Sequence, residues 1–504
     1  MTLAEPAPPT SAHLVHADGR VVHKNLALVV LAVSQLMVIL DATIVNVALP
    51  AIFDALKVKS EADLQWVVTG YTLFFGGFLL LGGKLADRIG RRKVFITGAA
   101  LFAVASLLGG IASNLGLLIA ARGLQGIGGA LMSPAALSLL TVVFAEGKER
   151  DRALGIWAAI TAGGAALGLI LGGVLVEYVN WRWVLFVNVP VAVVAILGAR
   201  RLVPESKDDR AQGFDIPGAV LVTGGLMALV FALVKANQYG WASGRTVGTL
   251  VLAAALIGGF VLVQLRSRTP LVPFRLFRSR SLTGADLGAL LIGAGMFAIF
   301  FFLILWMQVI NHWSPVKAGL SFLPMTAMIG ISAGIASQLL GKIGPRPLLA
   351  VGPGLAALGL LTLGLRLEPG SSYLTVILPS LLLVAMGMGL AFVALTSAAV
   401  AGVGHEDAGI ASALLNAGQQ IGGALGLAIL TAVSSSRTSS LVPGGQPKNP
   451  ADIPAYLSAV VDGWSLGLLV GAGLILASGI VMFSMVRVSK EAAAAALKEG
   501  MAAG

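Results

Sequence analysis

Cysteine is absent from the 504-residue sequence, so no disulfide and no thiolate metal site can form. Charge is scarce as well: Asp, Glu, Lys and Arg make up only 11% of the chain. Histidine occurs five times, at His13, His16, His23, His312 and His405, and never inside an apolar run. No H-E-x-x-H occurs, so no metal site is expected, and no Ser/His/Asp set can be assembled. A G-x-x-x-x-G-K-[ST] phosphate loop is also missing, which removes ATP hydrolysis by that route. Enzymatic chemistry has no foothold, and no cofactor is expected.

What fills the chain instead is apolar. Hydrophobic residues make up 57% and glycine contributes 64 residues, far from the balance of a soluble domain. Fourteen apolar segments long enough to cross a bilayer can be marked, from Leu26–Pro50 to Gly463–Val486. The expected class is an all-α integral membrane protein. Residues 1–25 read as a disordered N-terminal tail without a cleavable signal, and 487–504 as a C-terminal tail. Ser434–Asp462, with Pro443, Gly444, Gly445, Pro447 and Pro450, reads as a long flexible loop.

Charge placement orients the spans. Between Lys84 and Lys93 lie five cations and Asp87, bounded by apolar runs. An even number of spans puts both termini on one side, and on that assumption twenty-four cations fall on the side of this stretch, nine on the other, and Arg122 inside a span. That asymmetry predicts cytoplasmic termini. The net charge of +11 is therefore membrane orientation, and no nucleic-acid partner is expected.

An internal repeat divides the chain. Displacement by 254 residues lays Ile89-Gly90-Arg91-Arg92 on Ile343-Gly344-Pro345-Arg346, Gly155-Ile156 on Gly409-Ile410, and Gly164, Gly168, Gly172 on Gly418, Gly422, Gly426. The reading is two six-helix bundles, 26–201 and 282–486, with two extra spans in a 202–281 linker.

Two ionisable residues sit deep in spans, Asp41 and Arg122. An unpaired charge there costs at least ~2.5–3.5 kcal/mol, so each needs a partner or a wet cavity. Asp41 is the candidate for taking up and releasing a proton, with Arg122 setting the local field. Asp286 and Asp462 read as interfacial. Candidate cavity-lining groups are Trp66, Tyr71, Phe74, Gln125, Met132, Trp157, Phe297, Phe301, Trp306, Gln308, Asn416, Gln419 and Gln420, since aromatic, Met and amide side chains suit an amphipathic or cationic guest. Gly164, Gly168, Gly172 and Gly173 form a smooth strip for close helix packing.

These motifs resemble those of the major facilitator superfamily. Gly83-Lys84-Leu85-Ala86-Asp87-Arg88-Ile89-Gly90-Arg91-Arg92 resembles its loop signature. Leu40-Asp41-Ala42-Thr43-Ile44-Val45-Asn46-Val47-Ala48-Leu49-Pro50 is similar to the first-span signature of the fourteen-span drug:proton antiporter branch. Arg122-Gly123-Leu124-Gln125-Gly126 resembles its fourth-span motif and Gly164 to Gly173 its fifth-span antiporter motif, with Leu169 where that motif usually has proline. Asn180-Trp181-Arg182-Trp183 and Phe186-Val187-Asn188-Val189-Pro190 are also similar to that branch.

The resemblance implies alternating-access export of amphipathic, often cationic drugs from the cytoplasm or inner leaflet of a bacterial inner membrane. Proton entry would drive it, coupled through Asp41 and Arg122. Expected partners are the substrate, protons and membrane lipid, with the chain a monomer. The resemblance also implies a cytoplasmic gate of Gly83, Asp87, Arg88, Gly90, Arg91 and Arg92. From the residues themselves, Glu406 and Asp407 are expected to meet its arginines, and Asp87 the amino end of the thirteenth span, as a latch that is closed when the site faces out. Two other readings remain: a dedicated exporter of a lipid, metabolite or self-made antibiotic, and a non-transporting membrane sensor.

Overall fold

The computed structural model describes residues 13–15, 21–145, 147–208, 213–401, 403–404, 407–443, 447 and 449–493. Fourteen of its helical stretches are long and apolar enough to cross a membrane. Helix is the form apolar sequence must take in lipid, where every backbone N–H and C=O needs an internal partner.

The first bundle contains α1 (Lys24–Ala55), α2 (Glu61–Leu64) running into α3 (Trp66–Ile89), α4 (Arg91–Gly110), α5 (Leu115–Val143) and α6 (Lys148–Tyr178). Its last span is α7 (Trp183–Phe186) followed by α8 (Asn188–Leu202). Two inserted helices follow, α9 (Ile216–Tyr239) and α10 (Gly244–Arg266), packed on each other. The second bundle comprises α11 (Arg280–Leu305), α12 (Pro315–Leu320) with α13 (Leu323–Ile343), α14 (Pro345–Arg366), α15 (Leu378–Ala401), α16 (Ala408–Leu441) and α17 (Ile453–Met485). π-helical turns, Trp306–Ile310 and Tyr373–Ile377, continue α11 and open α15.

The 254-residue repeat is visible in the backbone. Gly90 ends α3 and begins α4 with φ at 126°, and Gly344 does the same between α13 and α14 with φ at 77°. Both values are left-handed, where a side chain would be strained. Likewise, the glycines of α6 pack on α1, and those of α16 pack on α11.

Three expectations change. The N-terminal tail is not wholly irregular, because His13–Val15 pairs antiparallel with Val21–His23, two short runs whose valines favour extended backbone. The charged stretch at 84–93 is no loop: helix continues to Ile89 and resumes at Arg91, so one glycine makes the turn. The supposed long loop at 434–462 is mostly helix. Arg437 Nε donates to Asp462 Oδ2 at 2.8 Å, and the Thr438 hydroxyl donates to the Ala459 carbonyl at 3.3 Å, so α16 and α17 extend beyond their apolar cores as a paired antiparallel stem.

The faces of the bundle differ. On the face away from the 84–93 stretch, called here the far face, the two bundles are joined directly. Gly173 of α6 lies against Pro315 and Val316, and Gly319 of α12 lies against the Leu169 carbonyl. Gln308 Nε2 donates to the Val47 carbonyl at 3.0 Å, the Val316 N–H to Glu177 at 3.0 Å, and the Trp464 indole N–H to Glu61 at 3.1 Å. The far side of the seam is closed.

Candidate functional site: a sealed carboxylate–guanidinium network

Asp41 and Arg122 are 0% and 1% exposed, and they meet. Arg122 Nη1 donates to Asp41 Oδ2 at 2.5 Å and to Gln125 Oε1 at 2.9 Å, while its Nε donates to the Val67 carbonyl at 3.0 Å. The other carboxylate oxygen, Oδ1, accepts from Gln125 Nε2 at 3.0 Å and from Asn188 Nδ2 at 2.8 Å. Gln125 Nε2 also donates to the Ser106 hydroxyl at 2.6 Å. The guanidinium lies over the ring of Tyr71, 4.4 Å from its centroid, and the Tyr71 hydroxyl donates to the Val38 carbonyl at 3.3 Å. Five spans of the first bundle thus converge on one ion pair, and each carboxylate oxygen is hydrogen-bonded. This is the arrangement that makes a buried pair tolerable.

Local sequence explains the convergence. Arg122 and Gln125 are one turn apart on α5 and so share a face. The Asn180-Trp181-Arg182-Trp183 segment ties α8 to the end of α4. Arg182 Nη1 donates to the carbonyls of Gly110 and Ala112 at 2.8 and 2.6 Å, satisfying orphan groups at that C-terminus. The Phe186 ring then fills the space left by Gly110. Asn188, two residues later, is thereby brought to Asp41.

The glycine strip of α6 reaches the same helix. A Cβ on Gly168 would collide with the Thr43 hydroxyl, and one on Gly172 would come within 2.8 Å of the Ile44 carbonyl. Gly164 lies against Leu36 and Ile39, so the strip is laid along α1 on both sides of Asp41. Gly173 faces the second bundle instead. With Leu169 in place of proline, α6 runs unbroken from Lys148 to Tyr178.

The expected gate is built differently. Asp87 accepts from its own Arg91 at 2.9 Å, and its carbonyl accepts the Asp208 N–H at 2.8 Å. The Arg91 N–H donates to the Ser206 carbonyl at 2.8 Å. The Arg92 N–H donates to Glu205 at 3.0 Å, and its Nη1 to the Val203 carbonyl at 3.0 Å. Arg88 stacks over Phe214, and Lys84 donates to the Pro270 carbonyl. A Cβ on Gly90 would strike Glu205, whereas Gly83 makes ordinary contact with Pro134. The linker, not the thirteenth span, covers this turn. With the far seam closed, Asp407 is held by Arg275 through two bonds of 2.7 and 2.8 Å and not by the arginines of the 84–93 stretch, a pairing expected for the state in which the site faces out. A linker cation reaches Asp407 because 274–278 is wound beside the start of α16. Glu406 lies outside the described residues.

Of the cavity candidates, Tyr71 and Gln125 belong to the Asp41 network. Met132 and Trp157 are buried core of the first bundle, and Phe301 and Trp306 of the second, the Trp306 indole donating to the Glu368 carbonyl at 2.9 Å. Trp66 packs on Phe231 of the inserted pair, and Gln308 bridges the far seam. Phe74, Phe297, Gln419 and Gln420 are partly buried, with Phe74 against Gly123 and Phe297 against Gly423; Asn416 is exposed. Asp286, expected at the interface, has both carboxylate oxygens buried without a partner among the described residues. Asn188, Ser106 and Glu205 were not among the expected site residues, although Asn188 stands in one of the motifs quoted above.

The sequence pattern of the Major Facilitator Superfamily matches residues 31–427. The chain is 41% identical to the puromycin resistance protein pur8 of Streptomyces alboniger over 469 residues, 92% of each chain. It is 39% identical to the cephamycin export protein CmcT of Amycolatopsis lactamdurans, over 88% of this chain and 90% of that one. In fold it is similar to a bacterial homologue of the human lysosomal transporter Spinster, solved inward-facing and unoccupied. That similarity has a TM-score of 0.64 at 18% identity and covers 94% of this chain and 98% of the other.

Proposed function

Starting from a chain that belongs to the major facilitator superfamily, we propose that it is a proton-coupled exporter of amphipathic, often cationic drugs or antibiotics. It would work by alternating access in a bacterial inner membrane, with both termini cytoplasmic. The observation that carries the reading is the Asp41–Arg122 pair, sealed inside one bundle and held by amides from two further positions. A proton arriving from the far side forms an O–H bond on Asp41 and removes the charge that holds Arg122. The guanidinium keeps the Val67 carbonyl, Gln125 Oε1 and the Tyr71 face as alternatives. The balance of the network shifts, and α1 shifts with it along the glycine strip of α6. That strip continues at Gly173 into the contact with the second bundle, which links protonation to the seam. Loss of the proton to the cytoplasm restores the pair.

Asp41→Asn keeps the shape and the amide contacts but cannot cycle a proton. In proteoliposomes it is expected to abolish export driven by a pH gradient while the protein remains monodisperse. Undiminished gradient-driven export by this variant would sink the assignment. A dedicated exporter of one antibiotic is the second reading, favoured by relatives named for single compounds, puromycin and cephamycin. Efflux of ethidium and tetraphenylphosphonium together supports the broad reading, and efflux of neither supports the dedicated one. Substrate-induced proton flux separates both from a non-transporting sensor.

A further inference from the structure

The second span carries a polar face that the Asp41 network does not use. Glu61, Gln65 and Thr69 recur one helical turn apart, continue into Leu73 and Gly76, and lie against the second bundle. Leu73 packs with Ala424 and Ala428 of α16, and Gly76 abuts Ala417, Gln420 and Ile421. α3 begins at the far face where α16 ends, so the two run antiparallel. Thr431, on the same face of α16 as Ala424 and Ala428, therefore comes level with Gln65 and Thr69. Gln65 and Thr69 are fully buried and Thr431 is 1% exposed. Both amide atoms of Gln65 and the hydroxyls of Thr69 and Thr431 have no hydrogen-bond partner among the described residues. At the end of the stripe Glu61 accepts the Trp464 indole N–H at 3.1 Å, and that indole is stacked on Phe302. Asp63, on the other side of the same turn, is paired with Lys235 of α9.

Buried polar atoms without partners are costly, and apolar residues would close this seam more firmly. The cost is relieved when the seam opens and water reaches them. We infer that Glu61, Gln65, Thr69 and Thr431 line the path by which cargo leaves at the far face, and that the Glu61–Trp464 hydrogen bond is its latch. In the closed seam the indole satisfies the carboxylate. On opening, the bond breaks, the carboxylate, amide and hydroxyls become hydrated, and the cargo passes over a polar strip. The inference rests on alternating access as proposed above, but not on the identity of the cargo or on the coupling role of Asp41.

The absence of cysteine makes the test direct. Thr69→Cys, in the full chain in membranes, supplies a single thiol that a membrane-impermeant maleimide can reach only from the far face through an opened seam. Labelling is expected to be slow with Glu61 and Trp464 intact, and roughly fivefold or more faster after Glu61→Gln or Trp464→Phe, since each weakens a hydrogen bond to a charged group. Ser440→Cys, at an exposed position near the far end of α16, is the control and should label at one rate in every background. The latch is overturned if Thr69→Cys rates do not change in either variant, or if Ser440→Cys accelerates in parallel through general loosening. The latch is also overturned if Thr69→Cys labels as fast as Ser440→Cys with Glu61 and Trp464 intact, and the path is overturned if Thr69→Cys labels in none of the three backgrounds. None of these readouts requires transport, so a failed proton-coupling experiment leaves them interpretable.

Discussion

At the residue scale the molecule separates charges that are partnered from charges that are not. Arg122→Leu removes the one cation bonded to Asp41 and leaves a carboxylate sealed in the bundle, so a loss of about 3–5 kcal/mol is expected, read as a large drop in melting temperature in detergent. Asn188→Leu removes one of three donors to the same carboxylate and should cost about 1–3 kcal/mol. Asp286 behaves in the opposite sense. Its oxygens have no partner among the described residues, so Asp286→Leu should stabilise the protein by about 1–3 kcal/mol, and an unchanged or lowered melting temperature would refute that. Asp41 and Arg122 were legible in the sequence because a charge inside an apolar run is rare and expensive. Ser106 and Asn188 were not, because a hydroxyl or amide in a span costs little and finds backbone partners easily. Only the packing of five spans shows which neutral groups turn toward the pair.

At the element scale, the fourteen spans were readable because helix is the form that lets each apolar run satisfy its own backbone in lipid. Their ends were harder to read wherever polar residues continue a helix beyond the bilayer core. The stem formed by α16 and α17 looked like loop because Pro443, Pro447 and Pro450 of the connection were read together with the Ser-rich end of α16, and the Arg437–Asp462 bond across the stem joins positions 25 residues apart. The glycine strip of α6 was expected to be a packing surface, but its partner could not be named from the sequence. The structure shows three glycines against α1 and a fourth against α12. Gly172→Leu forces a branched side chain into the Ile44 backbone. It should destabilise the protein by about 1–3 kcal/mol through overpacking and slow transport more than the melting shift alone explains, because it separates the helix carrying Asp41 from the helix that reaches the seam. Gly163→Leu, on the same helix at a position with open space around it, should do neither.

At the scale of the whole molecule the linker is the surprise. An insertion between two bundles could be a passive spacer, yet its two ends are bound to different bundles. Residues 203–208 are bonded to the basic turn between α3 and α4, through Glu205 to Arg92 and through backbone groups to Arg91 and Asp87. Its last segment grips the start of α16 through Arg275 and Asp407. On the basic face the linker therefore stands between the two charged elements that were expected to meet each other directly. A latch made this way has two joints, and they differ in exposure. The Arg275 side chain is 60% exposed, so its pair with Asp407 is largely screened and worth about 1 kcal/mol or less to stability. The contacts of Glu205 lie nearer the core. If the linker couples the bundles, Arg275→Ala should leave the melting temperature nearly unchanged while altering the balance between conformations. That balance can be read as the distance between spin labels on the basic-face ends of α5 and α15. Glu205→Ala should shift the same distance distribution and also lower stability by about 1–3 kcal/mol, since the Arg92 N–H loses its acceptor. A distance distribution identical to that of the parent chain in both variants would reduce the linker to a spacer.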